Sequence, residues 1–424
     1  MVGSQPLDMD ANIGVIAPIP RVTIHVFCES SSLSAMMESA AADRRMQKAI
    51  VKNRIGGISA ALAAYREEQA ADVIVLEVGS DSGSFLRDLD GLAQFCDDGT
   101  RVLVIGRIND VSFYRALIAR GVSEYLVEPL SVLEFVRAVS ELYSRPGGSP
   151  LGRLVAVYGA KGGVGSSTVA HHLAWSIATK LDTSVVLVDL DLPFGTAGLD
   201  FNQDPLQGVA EAVYSPERLD ANMLDRLMTK CDDRLSLLAA PATLGREYDL
   251  NEDAFDGVMD LLRASAPIVV LDVPHMWTAW VRRLLLSVDE LMLVAEPDLA
   301  NLRNAKNFLE LIGSARSNDA KPKYVLNRVG MPKRPEIELK EFIAAVNLAP
   351  SAVIPCDTKL FGMAANNGQM VGEVAGGAKY TDIFLNLGRS ITGRPEISTH
   401  AQGSLIGRLK SIKLSRGFKK RTDL

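Results

Sequence analysis

The chain has no run of 18 apolar residues, no Cys-x-x-Cys pair and no histidine cluster near any cysteine. The first absence excludes a membrane-spanning helix legible from hydropathy. Its four cysteines, Cys28, Cys96, Cys231 and Cys356, are scattered along the sequence. Without partners at ligand spacing they exclude a disulfide scaffold or a zinc framework, and they suit a reducing compartment. Residues 1–20 lack the basic start and apolar core of a secretory signal, so a cytoplasmic protein is expected. What remains is ordinary globular composition, 47% hydrophobic and 23% charged over 424 residues. That is enough chain for two or three domains of about 100–200 residues each.

A single charge sign is also scarce at one end. The net charge is −6, yet residues 401–424 hold seven Lys/Arg against one Asp, a local +6 that leaves −12 over residues 1–400. An acidic body offers no broad basic face, so no specific nucleic acid is expected as a partner. The basic tail suits an anionic surface.

Short apolar runs at 21–26, 73–78, 102–105 and 123–127 read as buried strands, with helical segments at 57–70, 110–120 and 131–143. The cluster RPGGSP at 145–150 reads as a linker. Alternation then restarts, with strands expected at 153–158, 184–189, 235–239, 267–272, 290–295, 322–328 and 351–354. Helices are expected at 167–180, 253–265, 277–286, 298–315 and 335–347. Repeated β/α alternation implies mostly parallel sheets with helices on both faces, here a first unit and a second, seven-stranded, doubly wound one.

The most informative segment is VAVYGAKGGVGSSTVAHHLAWSIA (155–178). A strand runs into Gly162, Gly163, Val164, Gly165, Ser166, Ser167 and Thr168, and a helix follows. Glycines let backbone N–H groups curl around phosphate oxygens, and the helix N-terminus adds partial positive charge. The segment resembles the deviant Walker A loop of the MinD/ParA family of ATPases. That resemblance implies bound ATP and Mg2+, and a Lys161 that reaches across a nucleotide-sandwiched homodimer. Two positions depart from the pattern: Ser166 stands where the P-loop lysine is expected, and Ala160 where the loop usually begins with glycine. Loss of a cation at the β/γ-phosphates predicts weaker ATP binding and slow or absent hydrolysis.

The same resemblance implies further roles. Asp191, in VVLVDLDLPFGTAGLDF (185–201), falls where an acidic residue orients the attacking water. Asp272, ending PIVVLD, would hold Mg2+ through water beside the Ser167 hydroxyl. Asn327 in YVLNRVG matches the residue that recognises adenine, and Pro355 and Asp357 lie in the loop that closes over the base. Read without the resemblance, Asn327 could equally be a buried amide holding a strand end.

The first unit resembles the receiver domain of response regulators in length and order of elements. An active receiver needs a phosphoacceptor Asp, an acidic pair and a Lys; here these positions read Glu77, Cys28-Glu29 and Glu128, with Gly106 where Ser/Thr is usual. Glutamate does not serve as the usual acceptor and Glu128 reverses the lysine's sign, so a pseudo-receiver used for protein docking is expected. A receiver-like front and a MinD/ParA-like back together resemble the TadZ/CpaE family of Flp (type IVb, tight adherence) pilus assembly proteins. This implies a homodimerising localisation factor that meets Tad/Flp secretion proteins and a pole or membrane landmark. The expected units are an N-terminal extension (1–20), a pseudo-receiver (21–145), a linker (146–151), an ATP-binding domain (152–393) and a basic tail (394–424). In the tail, Leu405, Leu409 and Ile412 form a short stripe beside Arg408, Lys410 and Lys413, similar to the C-terminal membrane anchor of MinD-like proteins. Two other functions remain open: an active ATPase cycling on and off a surface, and an atypical response regulator.

Overall fold

The computed structural model describes residues 16–79, 81–97, 99–143, 151–245 and 247–394. The expected tail beyond residue 394, most of the linker and residues 1–15 of the extension lie outside the described residues. The front sheet comprises β1 (Thr23–Cys28), β2 (Ile50–Ile55), β3 (Val73–Glu77), β4 (Arg101–Gly106) and β5 (Glu124–Val127), in the order β2-β1-β3-β4-β5. Every pairing in it is parallel. This is the doubly wound order in which the chain reverses direction beside β1, leaving a crevice at the carboxyl ends of β1 and β3. β3 is buried along its whole length because helices cover both faces, which is why VIVLE reads as a continuous apolar run.

The larger sheet comprises β6 (Arg153–Gly159), β7 (Val185–Asp189), β8 (Thr229–Asp232), β9 (Leu235–Leu238), β10 (Ile268–Val273), β11 (Glu290–Ala295), β12 (Lys323–Val329) and β13 (Ala352–Pro355). Their order is β13-β12-β11-β6-β10-β7-β9-β8, all parallel except β8, which runs antiparallel to β9. Eight strands therefore replace the seven expected. The two strands that escaped, β2 (IVKNRI) and β8 (TKCD), are both edges, half-exposed and polar. Edge strands carry such residues because a bare apolar edge would recruit other chains, and the same polarity hides them from a hydropathy reading. The helices Ser31–Ala41 and Ala378–Thr392 likewise lie outside the expected segments.

Two apolar layers sandwich the large sheet. One is centred on Leu154, Leu271, Leu293 and Phe308, the other on Val157, Leu173, Val270 and Phe384. Each fully buried Leu, Val or Phe there stabilises the fold by about 1.5–3 kcal/mol. Helix starts are fixed by short polar side chains: Ser131 and Glu134 form a reciprocal capping box, and Asp298 and Asp357 accept from backbone N–H groups of the first turn.

The front and back units meet at a buried ion cluster. Arg44, on the short turn Arg44–Met46, donates to Asp319 Oδ2 at 2.6 Å and to the Ser287 carbonyl at 2.8 Å, with Asp289 Oδ1 at 3.4 Å. Arg45 pairs with Asp43 and Asp319, and Arg263 and Arg316 close the cluster from the back unit. Asp289 also accepts from Leu154 N, so the cluster sits where β6 and β11 begin. The phosphate loop leaves the other end of β6.

Candidate functional site

β6 ends in the segment Ala160–Gly165, and the helix Ser166–Lys180 starts directly after it. Gly163 (φ +81) and Gly165 (φ +85) hold left-handed backbone that side chains disfavour, and a Cβ on Gly165 would sit 2.6 Å from Asn327 Nδ2. Glycine at 165 is thus required twice, by torsion and by space. Lys161, Gly162 and Gly163 are exposed, Val164 is buried, and Ser166, Ser167 and Thr168 are half-buried. The neighbouring strand β12 and the helix Leu299–Ala315 brace the loop by its carbonyls. Asn327 Nδ2 donates to Val164 O at 2.8 Å, Arg328 Nη1 to Gly163 O at 2.7 Å, and Asn304 Nδ2 to Ala160 O at 2.9 Å. Asn327 is buried, and its Oδ1 accepts from the Arg328 N–H. Its amide therefore holds the loop in this structure.

The carboxylates converge at the carboxyl ends of β7 and β10. Asp189 is buried and accepts from Asp191 N at 3.1 Å and Ala197 N at 3.0 Å, fixing the turn between them. Burial, reinforced by the Asp272 charge, raises its carboxyl to about 7. Asp191 is half-buried, with its acidity also weakened by burial, and accepts from Phe194 N at 3.2 Å. Asp272 is the buried penultimate residue of β10, and its backbone carbonyl accepts from Leu190 N. Pro355 is exposed at the end of β13, and Asp357 caps the helix Thr358–Asn366 through Leu360 N at 3.0 Å.

Two residues that the sequence reading passed over enter this centre. His171, fully buried, places Nδ1 2.7 Å from Asp200 Oδ2 and Nε2 3.3 Å from Asp272 Oδ2. Burial pushes its pKa down, but the two carboxylates outweigh it and raise the value to about 10, so an imidazolium sits inside the acidic centre. Arg328 is the second, with its φ of +53 and its guanidinium against the loop. The signals were a His-His doublet one helical turn into the phosphate helix and an Arg beside Asn327. Neither carries a spacing rule that single-sequence reading can use.

Mg2+ binds hard oxygens and takes one or two protein carboxylates, drawing its other ligands from phosphates and water. The Ser167 hydroxyl and the Asp272 carboxylate have that chemistry, and the donor set fits. His171 has already taken one oxygen of Asp272 as an ionic neighbour.

The receiver-like crevice is occupied by its own backbone. Glu77 Oε2 accepts from Glu29 N at 2.7 Å and Ser30 N at 2.8 Å, and the residue is buried. Cys28 lies at the end of β1, where burial and then the Glu77 charge push its thiol up to about 12. Glu128 pairs with Arg107 at 2.7 Å.

Comparison with known proteins adds four relations. A family model described as cellulose biosynthesis protein BcsQ matches residues 153–310. The septum site-determining protein MinD of Synechocystis sp. is 27% identical over 211 residues, 48% of this chain and 74% of that protein. A ParA family ATPase from Chlorobium tepidum covers 57% of this chain and 98% of its own at 24% identity and a TM-score of 0.51, sharing the fold of the larger sheet. A solved chain of the pilus assembly protein CpaE from Caulobacter crescentus is matched over 100% of its length at 44% identity. It spans 31% of this chain, in the N-terminal part, with a TM-score of 0.30.

Proposed function

The chain belongs to the CpaE family of pilus assembly proteins, within the MinD/ParA superfamily, and from that premise we propose that it is a nucleotide-gated localisation factor for a type IVb (Flp/Tad) pilus secretion machine. In this reading it binds ATP with Mg2+, homodimerises on it, and hydrolyses it slowly or not at all. The observation that carries the proposal is a fully formed phosphate loop in which Ser166 stands in place of the lysine.

The backbone N–H groups of Gly162 through Thr168 would cradle the phosphates, with the helix N-terminus adding its field. Lys161, exposed on the rim, would reach the partner copy's nucleotide. Ser167 and Asp272 would hold Mg2+, the latter through water. When bound, the metal would neutralise phosphate charge. Asp191 would orient the attacking water, although its burial and the like charge of Asp272 hold back its ionisation. Adenine would meet the loop of Pro355 and Asp357, and Asn327 would have to give its amide to both base and loop. With no lysine on the β/γ-phosphates, positioning outlasts chemistry, which favours a scaffold over a turnover enzyme. The front unit, with Glu77 spent on backbone N–H groups and Glu128 paired to Arg107, serves as a docking module rather than a phosphoacceptor. Residues 404–424 would add peripheral contact with a membrane or pole. Among the described residues, no helix is long and apolar enough to cross a membrane.

The second reading, an active ATPase cycling on and off a surface, is favoured by the retained Lys161 and Asp191. One set of measurements separates the two: ATP binding, dimerisation and turnover for the wild type, Ser166→Lys, Lys161→Ala and Asp191→Ala. Binding and dimerisation with little turnover, dimerisation failing in Lys161→Ala and turnover rising in Ser166→Lys, is the expected result. Robust wild-type turnover that Asp191→Ala abolishes would instead establish the cycling enzyme. A chain lacking residues 404–424 should still bind nucleotide while losing its position in the cell.

A further inference from the structure

The phosphate loop lacks the cation of its own helix, yet a guanidinium is built onto its flank. Arg328 Nη1 bonds Gly163 O at 2.7 Å and Glu296 Oε1 at 3.0 Å. Its placement is not casual. The pairing of β12 with β13 shifts register between Leu326 and Val329, an irregularity that re-aims consecutive side chains. Both Asn327 and Arg328 consequently turn onto the loop. Arg328 itself adopts φ +53, a conformation that a non-glycine residue holds only where its surroundings enforce it. Those surroundings are visible: Arg334 Nη2 donates to Arg328 O at 2.9 Å, and Arg334 also pairs with Glu296 and Glu336. Two carboxylates and two guanidiniums thus balance, and the cluster fixes geometry without adding net charge.

A guanidinium has two usable edges in one plane. Among the described residues, Arg328 Nη2 and Nε have no hydrogen-bond partner, and the side chain is 41% exposed. Nη2 lies 3.8 Å from the position a Cβ on Gly165 would take, alongside the last residue of the loop.

We propose that Arg328 is a phosphate-binding residue, presenting from β12 a free guanidinium edge to the phosphates where Ser166 presents no cation from the helix. One edge stays on Gly163 O and Glu296, and the other donates to a phosphate oxygen of the bound nucleotide. The inference rests on the nucleotide-binding reading above. It assigns part of the affinity to a residue outside the loop.

The test is calorimetric titration of ATP, ADP and adenosine, each with Mg2+, into the full chain as wild type, Arg328→Ala, Arg328→Lys, Ser166→Lys and the double variant Ser166→Lys/Arg328→Ala. Thermal melting of each variant runs in parallel. Arg328→Ala should weaken ATP and ADP by about tenfold to a hundredfold, the range for a hydrogen bond to a charged group. Adenosine affinity and melting should change little. Arg328→Lys should retain part of the affinity, and the double variant should regain most of it, because the lysine then returns to its usual place. ATP affinity unchanged in Arg328→Ala would overturn the inference. Equal losses for ATP and adenosine would also overturn it, leaving Arg328 as a brace of the loop. A wild type that binds neither ATP nor ADP would overturn the parent reading instead, so the two failures are distinguishable.

Discussion

His171 and His172 are consecutive on the phosphate helix, and burial takes them in opposite directions. His171 lies between Asp200 and Asp272 and is held as a cation, its value raised to about 10. His172 is buried without a carboxylate: Nδ1 donates to Thr168 O at 2.7 Å and Nε2 accepts from Val371 N at 3.0 Å. Those two bonds need one protonated and one bare nitrogen, so the ring is neutral, and burial lowers its value to about 4. A folded value below the unfolded 6.5 means that the unfolded chain binds the extra proton, so this contribution is present above pH 6.5 and disappears as pH falls toward 4. The stability gap between wild type and His172→Gln should therefore narrow on acidification from pH 6.5 to pH 4, by on the order of 3 kcal/mol. Denaturant unfolding of both proteins across that range is the measurement. A constant gap would show that His172 titrates normally.

At the scale of elements, the loop between β6 and its helix concentrates the constraints. Gly165 combines φ +85 with the nearby Asn327 amide, so Gly165→Ala should cost about 1–2 kcal/mol from torsion alone, more if Asn327 is displaced from Val164 O. A lower melting temperature together with lost ATP binding in titration is the expected outcome, and intact binding would mean that the loop tolerates a different path. Strands β3, β6, β10 and β11 are legible in the sequence because both faces are covered and nearly every position is apolar. β2 and β8 are not, because an edge strand is stabilised by its neighbour's hydrogen bonds and shows little hydropathy of its own. Among site residues, Lys161, Asp191 and Asp272 stand out because each occupies a motif position next to a strand end. His171 and Arg328 do not, because their roles come from Asp200, Asp272 and Glu296 arriving from distant segments.

On the scale of the whole molecule, the cluster of Arg44, Arg45, Arg263 and Arg316 with Asp43, Asp289 and Asp319 joins the two units. Arg44, Asp289 and Asp319 are each more than nine-tenths buried, so removing one partner leaves an uncompensated charge away from water. Arg44→Glu should therefore destabilise the docked arrangement by about 3–5 kcal/mol. The expected readout is a single melting transition splitting into two, with partial restoration when Asp319→Arg is added. One unchanged transition would show that apolar contacts suffice to hold the units together. The cluster also sits at the opposite end of β6 from the phosphate loop, and the helix Leu299–Ala315 runs from Asn304 at the loop to Arg316 at the cluster. Loop and docking surface thus share rigid elements.

The sequence alone determined that the chain forms two successive α/β units, that the second carries a phosphate loop without its lysine, and that the first carries glutamates in place of a receiver's Asp and Lys. Those properties are local: apolar runs, glycines and a few substitutions within motifs. Only the tertiary structure decided which charges meet. The net −12 of residues 1–400 does not show where individual carboxylates sit. At three sites they are drawn inward onto cations: Arg44 and its neighbours between the units, His171 in the acidic centre, and Arg328 on the loop. Charge pairing in low dielectric depends on which side chains are brought within a few ångströms, and separation along the chain carries no record of that distance.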